Sequence, residues 1–141
     1  MPIVALGYMG IRSQGLADWS DYAGRLLGMQ KVDSGGGSMA FRMDDWRQRL
    51  VVIDEGGDEF AFMGWQVADS SDLDGLAARI EGSGIAVTEA GRALCDQRFV
   101  ERMIHFDDPD GNRVELFANP RLATDPFSPG RAIEGFLTGP Y

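Results

Sequence analysis

The chain repeats itself, and the repeat restricts the fold more than any other feature. Displaced by 54 positions, residues 6–28 lie over residues 60–82 without a gap, with six identities: Met9-Gly10 on Met63-Gly64, Asp18 on Asp72, Ala23 on Ala77, Arg25 on Arg79 and Gly28 on Gly82. The secondary-structure pattern repeats as well. Each copy opens with an apolar stretch suited to a strand, Ile3 to Ile11 and Phe60 to Val67. An N-cap candidate follows, Asp18 or Asp72, whose carboxylate can accept from the free N–H groups of a first helical turn. Behind it runs a stripe at helical spacing: Trp19, Tyr22, Ala23, Leu26 and Leu27 in the first copy, and Leu73, Leu76, Ala77 and Ile80 in the second. Gly28 and Gly82-Ser83-Gly84 supply the stops.

Three short strands are predicted after each helix. They are Gln30–Asp33, Met39–Met43 and Leu50–Ile53, broken by the Gly35-Gly36-Gly37 turn, and then Ile85–Thr88, Met103–Phe106 and Arg113–Phe117. The last two are joined by Asp107-Asp108-Pro109-Asp110-Gly111-Asn112, where Pro and Gly fit turn geometry. Both copies read βαβββ, in residues 1–55 and 56–118. Neither can bury its sheet and helix alone, so the two are expected to pair as one domain, 1–118. The predicted class is α+β: paired βαβββ modules forming a pseudo-symmetric curved mixed sheet round a cleft, with helices outside. Residues 119–141, with Pro120, Pro126, Pro129 and Pro140, read as an exit linker carrying a short strand at Gly135–Thr138.

Composition removes several function classes. With 141 residues, 44% of them hydrophobic and 25% charged, the chain has enough material for one domain with a core. A net charge of −9, with Lys31 the sole lysine, opposes a nucleic-acid surface. The single cysteine, Cys95, cannot form an internal disulfide or a multi-cysteine zinc site, and fits a reducing cytoplasm. No run approaches the ~18 apolar residues of a membrane span, and Met1-Pro2-Ile3-Val4 lacks the basic start of a signal peptide.

Paired βαβββ units resemble the vicinal oxygen chelate superfamily, which includes glyoxalase I, bleomycin-resistance proteins and type I extradiol dioxygenases. The segments Leu6-Gly7-Tyr8-Met9-Gly10, Phe41-Arg42-Met43-Asp44 and Gly64-Trp65-Gln66-Val67-Ala68-Asp69 are similar to the N-terminal domain of two-domain extradiol dioxygenases of the 2,3-dihydroxybiphenyl 1,2-dioxygenase kind. So are Phe106-Asp107-Asp108-Pro109-Asp110-Gly111-Asn112-Arg113-Val114-Glu115 and Gly135-Phe136-Leu137-Thr138-Gly139. The resemblance implies a parent enzyme that cleaves bicyclic or steroid-like catechols with Fe(II) held in its C-terminal domain by two histidines and a carboxylate. It also implies that this half is non-catalytic. In the resembling enzymes the closing Gly-Phe-Leu-Thr-Gly leads into the catalytic domain, so such a domain is expected beyond Tyr141 as partner, along with homo-oligomerisation.

Carried over by position, the ligand places of the catalytic half fall on Tyr8, Phe62 and Glu115. Both histidines are replaced, by a weakly ligating phenol and a hydrocarbon ring, so no metal, cofactor or catalytic residue is expected in this chain. His105 is the only histidine and lies on the strand before the turn. It shares a face with Glu115 only if the register across the turn allows. Cys95 has Arg92 and Arg98 nearby but no base beside it, and reads as an ordinary small residue. Trp19 and Tyr22 read as core-stripe residues. Gly35-Gly36-Gly37 lacks the following helix a phosphate cradle needs. Two other readings stand beside the dioxygenase half. One is a metal-free ligand-binding protein of the bleomycin-resistance type, motivated by an acidic, aromatic-bearing domain. The other is a glyoxalase-like metalloenzyme, which needs His or Glu at positions 8 and 62.

Overall fold

A computed structural model describes residues 3–32 and 37–135. Both copies of the repeat carry the predicted βαβββ order in an α+β arrangement, and the second has one extra helix. The strand β1 (Ile3–Arg12) is divided between two compact units. Of the described residues, those within Met1–Tyr8 and Ala61–Arg121 form one unit, and those within Met9–Phe60 and Leu122–Tyr141 form the other.

In the unit that begins at Met9, β1 pairs in parallel with β4 (Leu50–Ile53), Met9 facing Leu50 and Arg12 facing Ile53. Antiparallel pairing then runs from β4 to β3 (Ser38–Arg42) and from β3 to β2 (Gln30–Val32). The helix α1 (Leu16–Asp21) widens into a π-helical turn at Tyr22–Leu26, where the Leu27 N–H reaches the Tyr22 carbonyl at 3.0 Å. That turn rotates the expected stripe. Ala23 is buried among Met29, Phe41, Leu50 and Val52, with Trp19 packed beside them, but Tyr22, Leu26 and Leu27 are 48%, 57% and 46% exposed. They are therefore not core residues. Nor does Asp18 cap the helix: Gly15 is the N-cap, without a side-chain hydrogen bond, and Asp18 lies inside the first turn. Gly28 does stop the helix, at φ +76°.

The other unit is organised by β5 (Glu59–Val67), β6 (Thr88–Glu89), β7 (Val100–Asp107) and β8 (Arg113–Pro120). Its order is β1-β5-β8-β7-β6, with β5 and β8 parallel and the pairs from β8 to β6 antiparallel. Alternation divides the sheet's two faces. Val67, Ile104, Leu116 and Ala118 form a core with Leu73 of α2 (Ser70–Gly82), with Trp65, Leu76, Ala77 and Ile80 packed against it. The N-cap of α2 is Asp69, not Asp72. Its carboxylate accepts from the Ser71 and Asp72 amides at 2.8 and 2.9 Å, three residues earlier than the sequence reading placed the cap.

Two elements were read differently in the sequence. Ile85–Thr88 was expected to be a strand, but pairing there is confined to Thr88 and Glu89, opposite His105 and Ile104. The helix α3 (Arg92–Arg98) was not foreseen. It ends at Phe99, which takes the left-handed conformation at φ 55°. Of the triple glycine only Gly37 is described, at φ +80°, and residues 136–138 of the expected strand Gly135–Thr138 lie outside the described residues. Among the described residues no helix is long and apolar enough to cross a membrane.

Candidate functional site

The second face of the β5–β8 unit carries the chemistry. Parallel register puts Phe62 beside Arg113, Gly64 beside Glu115 and Gln66 beside Phe117. Antiparallel register puts Asp107 beside Arg113, His105 beside Glu115 and Met103 beside Phe117. The turn that follows Asp107 sets that register. The Asp108 carboxylate accepts from the amides of Asp110 and Asn112, and the Asp108 N–H donates to the Asn112 carbonyl at 2.9 Å. His105 and Glu115 therefore do share a face, the point the sequence left open.

Gly64 leaves the row of Glu115 without a β5 side chain, and Tyr8 fills the space. A Cβ on Gly64 would lie 2.3 Å from two atoms of the Tyr8 ring. The ring stacks on Phe117 at 4.9 Å and meets Phe62 edge-on at 6.0 Å. Its hydroxyl donates to Glu115 Oε2 at 2.8 Å and also lies 3.2 Å from Met103 Sδ. Burial, and then the charge and hydrogen bond of Glu115, hold the Tyr8 phenol well above its ordinary pKa, so it stays a proton donor.

Glu115 is fully buried and carries a complete set of partners. Its Oε2 accepts from the Tyr8 hydroxyl and from Arg98 Nε at 2.9 Å; its Oε1 accepts from Arg98 Nη2 at 3.1 Å and Arg113 Nε at 3.0 Å. Four donors match the roughly four lone-pair positions of a carboxylate. The Arg98 guanidinium also lies over the Phe62 ring, 3.8 Å from its centre. The three positions carried over from the sequence, Tyr8, Phe62 and Glu115, are thus brought together around one buried ion pair. Sequence reasoning missed both arginines as partners. Arg113 was in principle legible, because on a strand it shares a face with Glu115 two residues on. Arg98 was not, since it reaches the carboxylate from the end of the unforeseen α3.

Arg98 was read beside Cys95, but the positive charge acting on that thiol is Arg92. Burial outweighs it and pushes the Cys95 pKa up, the opposite of an activated thiolate. His105 is half-buried. Desolvation and then Arg113 push its pKa down, against the opposing charges of Glu115 and Asp107. Among the described residues no group of three or more His, Cys, Asp or Glu side chains is placed to hold a metal ion.

Two family profiles match the chain in tandem. "Dihydroxybiphenyl dioxygenase BphC D1" covers residues 6–55, and "Catechol 2,3-dioxygenase-like N-terminal domain" covers residues 60–121. Biphenyl-2,3-diol 1,2-dioxygenase of Sphingomonas paucimobilis is 38% identical over 140 residues, 97% of this chain and 47% of that protein. A 1,2-dihydroxynaphthalene dioxygenase of Sphingobium xenophagum is 37% identical over 137 residues, covering 95% and 46%. Among solved structures, a catechol 2,3-dioxygenase superposes with a TM-score of 0.91 at 38% identity, covering 96% of this chain and 46% of that one. The chain spans about half the length of the curated relatives it matches, 47% of the first.

Proposed function

We propose, from the premise that the chain belongs to the vicinal oxygen chelate superfamily with the N-terminal domains of two-domain extradiol dioxygenases, that it is the non-catalytic half of such an enzyme. The parent cleaves a catechol ring beside its two hydroxyls in the cytoplasm, with Fe(II) held in a C-terminal half of the same polypeptide. Relatives named for biphenyl-2,3-diol and 1,2-dihydroxynaphthalene support a bicyclic catechol as substrate. The partners are that C-terminal half and further copies of the chain.

One observation carries the reading: Glu115 is consumed by its own neighbours. An Fe(II) site of this superfamily needs three ligating side chains and open positions for substrate and O2. Here Phe62 offers no donor atom, and Tyr8 is held in its protonated form. Two guanidiniums occupy the carboxylate and place positive charge where a cation would have to enter. The donor set does not fit iron. The arrangement instead crosslinks β1, β5, β7, β8 and the end of α3 through one buried ion pair. The glyoxalase-like reading needs metal ligands at these same positions, and the donor set supports it no better.

The test is anaerobic incubation of the purified chain with Fe(II), followed by 2,3-dihydroxybiphenyl and oxygen. The expected result is no yellow ring-fission product. Catalytic turnover by this chain would overturn the proposal.

A further inference from the structure

We propose that residues 122–133 are a strap latched onto the unit that begins at Met9, and that Arg42 is the latch. Arg42 closes β3 and is 1% exposed. Its Nη2 donates to three strap acceptors: the Pro126 carbonyl at 2.7 Å, the Asp125 carbonyl at 3.0 Å and Asp125 Oδ2 at 3.2 Å. Its Nε donates to Gln30 Oε1 at 3.0 Å, and that oxygen also accepts from the strap amide of Ser128 at 2.7 Å. One buried cation and one side-chain amide thus gather three strap residues, Asp125, Pro126 and Ser128. The only anion in the set, Asp125, is 62% exposed at its side chain, so carbonyl oxygens supply most of the hold. Among the described residues Nη1 is buried without a partner.

Both ends of the strap are seated independently. At its start Leu122 bridges Trp46, and the Ala123 N–H donates to the Asp45 carbonyl at 2.8 Å. Near its end the Gly130 N–H donates to the Gly28 carbonyl at 3.1 Å. A Cβ on Gly130 would lie 2.5 Å from the Gly24 carbonyl oxygen and 2.6 Å from that of Met29, so only glycine allows this approach. Ile133 fills the space over Gly28, where a Cβ would meet its Cδ1 at 2.3 Å. The segment that reads as a linker by its prolines is therefore built into the fold. Release of Arg42 frees its middle while leaving the two end contacts to hold it.

Amide hydrogen exchange on the whole 141-residue chain tests the latch. In Arg42→Gln the amide of Ser128 is expected to exchange about tenfold to a hundredfold faster, the range set by loss of hydrogen bonds to a charged group, while those of Ala123 and Gly130 at the strap ends change least. Amides of the β7–β8 ladder are expected to keep their wild-type rates. An unchanged Ser128 amide, or acceleration spread equally over both units, would overturn the latch. Gly130→Val approaches from the other side, forcing the strap up without touching Arg42. There the Arg42 Nη2 protons, which the strap acceptors hold, should lose their protection in an otherwise native spectrum; retained protection with the strap displaced would also overturn it.

Discussion

Among the described residues the most deeply buried ion is an anion in one unit and a cation in the other, Glu115 at 0% and Arg42 at 1% exposed. In the β5–β8 unit the ion is the Glu115 carboxylate, with both oxygens filled by two guanidiniums and a phenol. In the unit that begins at Met9 it is Arg42, held mainly by carbonyl oxygens of a segment outside the βαβββ pattern, with Nη1 unmatched. Breaking a buried pair by removing one partner costs about 3–5 kcal/mol, and an unmatched buried donor about 1–3 kcal/mol. The carboxylate cluster is thus closed and belongs to the sheet. The arginine is buried with one nitrogen unmatched among the described residues, and most of its acceptors belong to the strap. A duplicated architecture has kept its shape in both copies while using its buried charge for a crosslink in one and for a latch in the other.

The comparison breaks most readily at Glu115. Glu115→Ala leaves Arg98 without its counter-ion in a buried setting and is expected to lower stability by about 3–5 kcal/mol in urea unfolding. Glu115→Gln, which keeps the shape, should lose less. If Glu115→Ala falls within 1 kcal/mol of wild type on that ~3–5 kcal/mol scale, the cluster is not a crosslink.

A smaller effect is expected from Gly64→Ala, whose new Cβ collides with the Tyr8 ring. Overpacking of this kind costs about 1–3 kcal/mol. Combining it with Tyr8→Ala should recover part of that loss, and the coupling in the double-mutant cycle measures the contact. Strict additivity would show that Tyr8 does not depend on the bare backbone at Gly64.

The smallest effect is the pH dependence from His105. Its folded pKa lies below the unfolded value of 6.5, because desolvation and Arg113 favour the neutral ring. The unfolded chain therefore binds the proton first as pH falls, so the stabilisation is present above the unfolded value and disappears through the folded one. Urea midpoints should decline as pH drops below 6.5, and His105→Gln should flatten that part of the profile. A midpoint that rises on acidification would reverse the sign argued here.

Much of this was legible before any coordinates. The repeat and the strand order follow from spacing, because strands alternate faces and the copies share a frame, while the convergence of positions 8, 62 and 115 is what the family resemblance implied. Local chemistry was less legible where two candidates stood close together. Ala68-Asp69-Ser70-Ser71-Asp72 offers two aspartates, and the one in extended conformation, φ −154°, became the cap. The first helix gave a periodic stripe that the π-helical turn then took out of phase. Least legible were contacts made across long separations by flexible side chains. Arg98 lies 17 residues from Glu115, and Arg42 lies 83 from Asp125, and no periodicity encodes either. Proline content pointed to a linker after Asn119, but Gly130 and Arg42 show how such a segment can still be seated.

Equilibrium dialysis of the chain against Fe(II) under anaerobic conditions tests the central claim most directly, since it asks whether Glu115 is available to a metal at all. The account predicts no stoichiometric iron in the wild-type chain. One iron per chain, lost on Glu115→Gln, would contradict it.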